Sequence, residues 1–265
     1  MTPRPPAPTI VTRNLEVGHP GLVTLHDANI TLPGGRISVI LGASGCGKST
    51  LLRHILGLAV PNQGQILIEG EDLFGMSPKR FYEHKRSMGV LFQDGALLGS
   101  LTLAENISLP LLEHTELDEV TIRTMVRLKL SLVGLDKFMD FYPNQLSGGM
   151  RKRGGLARAL IMDPRILLCD EPSSGLDPIT AAEVDQLILD LHDALGMTVV
   201  VVTHDLDSLF TIAEHVVVLH GGMVLFEGGI EELKTTEDIY IRQFLDRQPN
   251  IRQAPVCLLR EGTDT

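Results

Sequence analysis

Gly42-Ala43-Ser44-Gly45-Cys46-Gly47-Lys48-Ser49, with Thr50 behind it, is the stretch from which the fold can be read. It matches the Walker A pattern. The glycines let the backbone curl so that successive N–H groups point inward at phosphate oxygens. A helix starting directly after the loop adds its positive end to that field. In this arrangement Lys48 reaches the β- and γ-phosphates and the Ser49 hydroxyl binds Mg²⁺. Position supports the reading, because the apolar, β-branched run Arg36–Leu41 precedes the loop and a helical pattern, Lys48–Leu58, follows it. Gly42, Ala43, Ser44, Gly45, Cys46, Gly47, Lys48, Ser49 and Thr50 are therefore candidate nucleotide contacts. The Cys46 thiol lies near helix-end dipoles that can lower a thiol pKa. A small residue facing away from the phosphates is the simpler reading, and the thiol is assigned no chemistry of its own.

Outward from this loop, strand-like runs recur at Ile10–Val17, Gln65–Ile68, Met88–Phe92, Ile166–Cys169, Thr198–Val202 and Val216–Leu219. Several are almost continuously apolar, as expected of strands covered on both faces. Helical patterns separate them, notably Ile179–Leu195, so the core is predicted to be a mainly parallel α/β layer structure. Between Phe92 and Ile166 the strand pattern lapses, and Val120–Leu135 and Met150–Met162 look helical. Residues 94–162 are read as a helical insertion. Gly221-Gly222 between two apolar runs predicts a hairpin.

Composition narrows the function classes. The 265 residues carry 33 acidic and 23 basic side chains, a net charge of -10, which argues against gripping nucleic acid through bulk charge. The proline-rich start Met1–Thr9 lacks the apolar stretch of a secretory signal. No run approaches the roughly 18 apolar residues needed to span a bilayer. Cys46, Cys169 and Cys257 form no disulfide framework and no paired metal-ligand spacing, which fits a reducing cytosol.

A second acidic motif points from binding to hydrolysis. Ile166-Leu167-Leu168-Cys169 is an apolar strand ending in Asp170-Glu171. Asp170 can hold the Mg²⁺ shell and Glu171 can accept a proton from an attacking water. Two acids capping the next helix, beside Pro172 and Ser173, is the plainer alternative.

Leu146-Ser147-Gly148-Gly149-Met150 resembles the signature motif of the ATP-binding-cassette (ABC) ATPases, and it precedes the Asp170-Glu171 strand as it does in that family. Gln93 looks like the family's Q-loop glutamine, Ser174-Gly175-Leu176-Asp177 like its D-loop and His204 like its switch histidine. The resemblance spans about residues 10 to 230. It implies a P-loop NTPase cassette with a RecA-like α/β core, an N-terminal antiparallel β subdomain and the helical insertion, over residues 8–245, followed by a C-terminal extension at 246–265. It also implies that Ser147, Gly148, Gly149 and Asp177 face a nucleotide bound by a second copy, so that two ATP molecules are sandwiched head to tail. Glu171, His204 and Gln93 become the catalytic set, and Ser49, Gln93 and Asp170 the Mg²⁺ ligands.

Three features depart from the family pattern. Met150 stands where many members carry glutamine. Gly154-Gly155 lies inside the signature helix at a cost of roughly 2 kcal/mol relative to alanines. Residues Leu15–Val23 offer no aromatic ring for adenine, His19 being the only candidate.

Leu91-Phe92-Gln93-Asp94-Gly95-Ala96-Leu97-Leu98, Asn106, Leu109-Pro110-Leu111 and the Met150 signature resemble the ATPases of Mce-type lipid transporters. That resemblance implies a peripheral protein on the cytoplasmic face of a Gram-negative inner membrane, with phospholipid as cargo. The implied partners are a second copy, an MlaE-like permease, an MlaD-like Mce ring and an MlaB-like STAS protein, with no nucleic acid. Leu97, Leu98 and Leu101 would form the permease socket or, equally, internal core. The apolar patch Val256–Leu259 would dock on a second copy or on the STAS partner. An ABC ATPase for another cargo, or a non-transport member acting on nucleic acid, remain the alternatives.

Overall fold

The computed structural model describes residues 7–19 and 22–248. The chain opens with β1 (Ile10–His19), β2 (Leu22–Leu32) and β3 (Ile37–Leu41), then α1 (Lys48–Ile55), β4 (Gln63–Ile68), β5 (Glu71–Asp72), α2 (Pro78–Arg86) and β6 (Met88–Leu91). Three helices follow: α3 (Leu103–His114), α4 (Glu119–Leu132) and α5 (Gly148–Ala159). The chain then returns to alternation with β7 (Ile166–Asp170), α6 (Pro178–Leu195), β8 (Thr198–Thr203), α7 (Leu206–Ile212), β9 (His215–His220), β10 (Met223–Gly229), α8 (Ile230–Thr235) and α9 (Ile239–Leu245).

Two sheets result. One is antiparallel, in the order β2-β1-β4-β5, and the other runs β10-β9-β3-β8-β7-β6. In the second sheet β9, β3, β8, β7 and β6 are parallel and β10 returns antiparallel on β9. Every residue of β3 and β8 is buried, which explains why both are almost continuously apolar and β-branched. Side-chain alternation sends Ile40, Leu168, Val200 and Val217 into one core with α1 and the antiparallel sheet. It sends Val39, Leu167, Val201 and Val218 to the opposite face, against α5, α6 and α7. A third core joins Leu103 and Ile107 of α3, Val126 and Leu130 of α4, and Ala157 of α5. Helix α5 therefore faces two cores at once, since its Leu156 packs on the sheet side.

Several elements differ from the sequence reading. Helix α1 ends at Ile55 rather than Leu58, and Gly57 follows in the left-handed region at φ 64°. Helix α4 stops at Leu132 rather than Leu135, with Gly134 at φ 69° beyond it. Strand β2 escapes the alternation rule because the β1–β2 register shifts between Leu15↔Ala28 and Val17↔Leu25, resetting the period. The predicted hairpin joins β9 to β10, with Gly221 at φ 57° and Gly222 at φ 78°, the two successive positive values a tight hairpin turn needs.

Because β3, β8 and β7 are adjacent and parallel, their C-terminal ends converge. The loop Gly42–Gly47, His204 and Asp170-Glu171 emerge from these three ends, on the side where open α/β sheets bind ligands.

Candidate nucleotide site

Helix α1 begins without a side-chain cap. Its N-cap is Gly47 at φ 107°, and its first turn carries no acid. Its leading N–H groups are left for an external acceptor, as phosphate binding requires. Gly42 cannot be larger, since a Cβ there would collide with the Leu219 carbonyl. Lys48 is 6% exposed and its Nζ donates to the Gly42 carbonyl at 2.7 Å and the Ala43 carbonyl at 3.0 Å, so the ammonium lies folded over its own loop. Cys46 turns into the core between the sheets, with its thiol raised by burial, and so takes the bland role expected of it.

From the neighbouring strand end, Asp170 meets the loop. The Ser49 hydroxyl donates to Asp170 Oδ1 at 3.0 Å. Burial pushes the Asp170 carboxyl above the usual range, and that hydrogen bond pulls it back. A hydroxyl and a carboxylate side by side form the hard-oxygen pair that suits Mg²⁺. No group of three or more His, Cys, Asp or Glu side chains fit to hold a metal occurs among the described residues.

Glu171 adopts φ 51°, a left-handed conformation that costs a non-glycine residue roughly 1–2 kcal/mol. Its N–H donates to the Val202 carbonyl at 2.8 Å, and its Oε1 pairs with His204 Nδ1 at 2.9 Å. The His204 side chain is 56% exposed while that of Glu171 is 12% exposed, so the histidine stands at the water-facing rim of the glutamate. The structure thus brings together Ser49 with Asp170 and Glu171 with His204. Gln93 is exposed beyond β6, and among the described residues no hydrogen bond joins it to Ser49 or Asp170.

Ser147 is exposed at the start of α5, and its Oγ accepts the Met150 N–H at 3.2 Å. Asp177 caps α6 with both oxygens, taking the N–H groups of Ile179 and Thr180 at 3.1 Å each and the Thr180 hydroxyl at 2.6 Å. The bonds from Thr180 hold the Asp177 carboxyl below the usual carboxylate range.

A family model described as "ABC transporter" matches residues 25–174, more than half of the chain. The chain belongs to the ABC transporter ATPases. It is 46% identical over 220 residues, 83% of its length, to the "Probable ribonucleotide transport ATP-binding protein mkl" of Mycobacterium tuberculosis (strain ATCC 25618 / H37Rv), of which the alignment spans 61%. It is 41% identical over 218 residues to the "Intermembrane phospholipid transport system ATP-binding protein MlaF" of Escherichia coli (strain K12), covering 82% of this chain and 81% of that protein. Its fold resembles the dimeric structure of MJ0796, a bacterial ABC transporter cassette, with TM-score 0.76 and 32% identity over 83% of this chain and 98% of that one. The same cassette is also known in a post-hydrolysis dimer bound to ADP and Pi.

One departure from the family pattern, the glycine pair in the signature helix, acquires a physical reason. At Gly155 a Cβ would lie 2.8 Å from the Gly95 carbonyl and 2.9 Å from Leu91 Cδ1, and at Gly154 one would lie 2.7 Å from Leu103 Cδ1. The glycine pair lets the signature helix lie directly against the Q-loop backbone. Arg158 then fastens the contact, donating to the Ala96 carbonyl at 2.7 Å and the Gly95 carbonyl at 3.1 Å. Fully buried Asn106 folds the next loop, binding the carbonyls of Leu98, Leu101 and Thr102 and accepting the Leu98 N–H at 2.7 Å. Of the three socket leucines, Leu98 is 51% exposed, whereas Leu97 packs against the helical core.

Sequence reasoning missed two residues near the site. Tyr240 of α9 stacks on His220 with ring centroids 3.5 Å apart, and burial raises its phenol pKa beside Cys46 and the Ala43 backbone. Lys152 of α5 donates to the Glu171 carbonyl at 2.8 Å. Neither contact has a local sequence signal, because each joins residues far apart in the chain. The His19 side chain lies outside the described part, as do Val256–Leu259 and Cys257.

Proposed function

We propose that this ABC transporter ATPase is the motor subunit of a complex that moves phospholipid between membranes, working as a head-to-tail pair of identical chains. The observation that carries the catalytic half is the convergence of Ser49 with Asp170 and of Glu171 with His204 on adjacent strand ends. The lipid half rests on the likeness to MlaF, which covers about four-fifths of both chains.

ATP is held by the N–H groups of Gly42–Thr50, with Lys48 leaving its loop carbonyls for the β- and γ-phosphates. Ser49 and Asp170, with Gln93, would hold Mg²⁺, which offsets the negative charge gathering on the β- and γ-phosphate oxygens. Ser147, Gly148, Gly149 and the Asp177 loop of the second copy complete the pocket and exclude water. Glu171 takes a proton from the attacking water as its oxygen bonds to the γ-phosphorus. The bond to the β–γ bridging oxygen breaks, leaving ADP and phosphate. His204 exchanges its hold on Glu171 for the γ-phosphate, which couples nucleotide arrival to release of the base.

Among the described residues no helix is long and apolar enough to cross a membrane. The chain is proposed to bind the cytoplasmic face of an inner membrane through an MlaE-like permease, pressing its coupling element against Leu98, with MlaD-like and MlaB-like subunits in the assembly. Residues 94–162 act as the arm that transmits this contact, and 246–265 as an extension of the cassette 8–245. A second reading, ribonucleotide transport, is favoured by the 46% identity to mkl. Reconstitution with the cognate membrane subunits decides between them. ATP-dependent transfer of labelled phospholipid between vesicles, absent in Glu171→Gln, is the expected result. Accumulation of labelled ribonucleotide without lipid transfer would overturn the lipid reading.

A further inference from the structure

Helix α5 presents Ser147 to solvent at one end, and about one turn further on it turns Lys152 into the protein. Lys152 is 5% exposed. Its Nζ donates to the Glu171 carbonyl at 2.8 Å and to Ser174 Oγ at 3.2 Å, and Ser174 Oγ donates to that same carbonyl at 3.0 Å. Burying an ammonium costs several kcal/mol unless its surroundings compensate. Here burial pushes the Lys152 pKa down, while Asp94, Glu171 and Asp170 pull it back up. The partner at shortest range is nevertheless a backbone carbonyl, and it belongs to the left-handed Glu171.

The Glu171 peptide is therefore pinned from both sides. Strand β8 takes its N–H through Val202, and its carbonyl accepts Lys152 at shortest range beside the Ser174 hydroxyl and the Ser174 N–H at 3.2 Å. With backbone direction fixed at both ends, the aim of the carboxylate follows. The first anchor comes from the sheet; the second comes from the helix whose tip carries the signature.

We propose that Lys152 is a positioning residue that holds the strained Glu171 peptide and so ties the partner-facing signature tip to this chain's own hydrolytic glutamate. Engagement of Ser147 by the partner's nucleotide shifts α5, and the latch carries that shift to Glu171. Each pocket is thereby tuned by the nucleotide in the other. This inference rests on the shared-pocket reading above.

The test is phosphate release against ATP concentration in the full-length chain assembled with its membrane subunits, beside a thermal melt of each variant. Lys152→Met is expected to lower kcat roughly ten- to hundredfold. It is expected to leave half-saturation within about twofold and to lower the Hill coefficient of the ATP dependence relative to the unaltered chain, where the coupling predicts a value above one. Lys152→Arg keeps the charge and restores part of both. Ser174→Ala, which removes only the flanking hydroxyl, moves both in the same direction by less, and it decides the matter if Lys152→Met does not fold. A merely structural role would lower the melting temperature and leave kcat and curve shape unmoved, which would overturn the proposal. Full turnover in Ser147→Arg would overturn the shared pocket instead, and the coupling with it.

Discussion

Two glycine-rich helix starts in this chain are built to opposite specifications. Helix α1 starts at a left-handed glycine with no side-chain cap, and Lys48 is buried beside its loop. Helix α5 starts at exposed Ser147, which caps its own first turn through the Met150 N–H. The first leaves its donors free and surrounds them with the loop, the lysine and the Ser49–Asp170 pair, as the proposed phosphate site within one chain requires. The second has committed one donor to its own serine and offers little else beyond the Ser147 hydroxyl and the neighbouring N–H groups. Its glycines serve packing as much as chemistry, since a Cβ on Gly149 would run into the Thr180 methyl. A half-site of this kind becomes useful when another surface brings the phosphate to it.

The largest effect that can break this contrast is at α1. Lys48→Ala should abolish both nucleotide binding and turnover, the latter by roughly a thousandfold or more, because it removes the cation folded over the phosphate loop. Isothermal titration with MgATP and a phosphate-release assay check the two halves. Next, Ser147→Arg should cut turnover by about a hundredfold or more while leaving ATP affinity of the separate chain unchanged, as expected for a group that acts only after closure. Equal loss of binding would place Ser147 in its own chain's site.

A smaller effect sharpens the packing side of the comparison. Gly155→Val should cost about 2–3 kcal/mol in denaturant unfolding through overpacking against Gly95 and Leu91. The equivalent change at Gly175, where a Cβ would have no atom within 4 Å, meets no such wall and is limited to the strain of its φ of 73°. The smallest effect concerns a buried group outside both helix starts. Asp185 is 3% exposed, accepts the Ser208 hydroxyl at 2.6 Å, and is pushed by burial up to about 6. A raised carboxyl pKa means the fold favours the protonated form. Stability is then greatest below the unfolded value and falls as pH rises through about 6. Asp185→Asn should therefore stabilise the protein at pH 8 by about 1–3 kcal/mol, by about half as much at pH 5, and by almost nothing at pH 3, read as the gap in melting temperature.

Much of this architecture was legible in the sequence where a single rule governs a stretch. The parallel strands announce themselves because burial on both faces demands unbroken apolar runs, and the phosphate loop because only glycine satisfies its turns. Strand β2 was hidden by a register shift that resets its alternation. Helix α3 was hidden by Pro110, which lies inside it, although a capping box of Thr102 and Glu105 marks its start. Asp170 and Glu171 were readable as acids at the end of an apolar strand, whereas His204 stood out only through its likeness to the family's switch histidine. Their pairings, and the roles of Lys152 and Tyr240, depend on contacts between distant segments that no local pattern encodes. Gly154-Gly155 looked like a defect in a helix and proved to be the place where two backbones touch.

The central claim, that each pocket is made from two chains, has a direct measurement. A Lys48→Ala chain and a Ser147→Arg chain are each prepared alone and then mixed, and phosphate release is followed in all three samples. A shared pocket predicts that the mixture regains turnover, because the intact phosphate loop of one chain meets the intact serine of the other. A mixture no more active than its components would contradict the account.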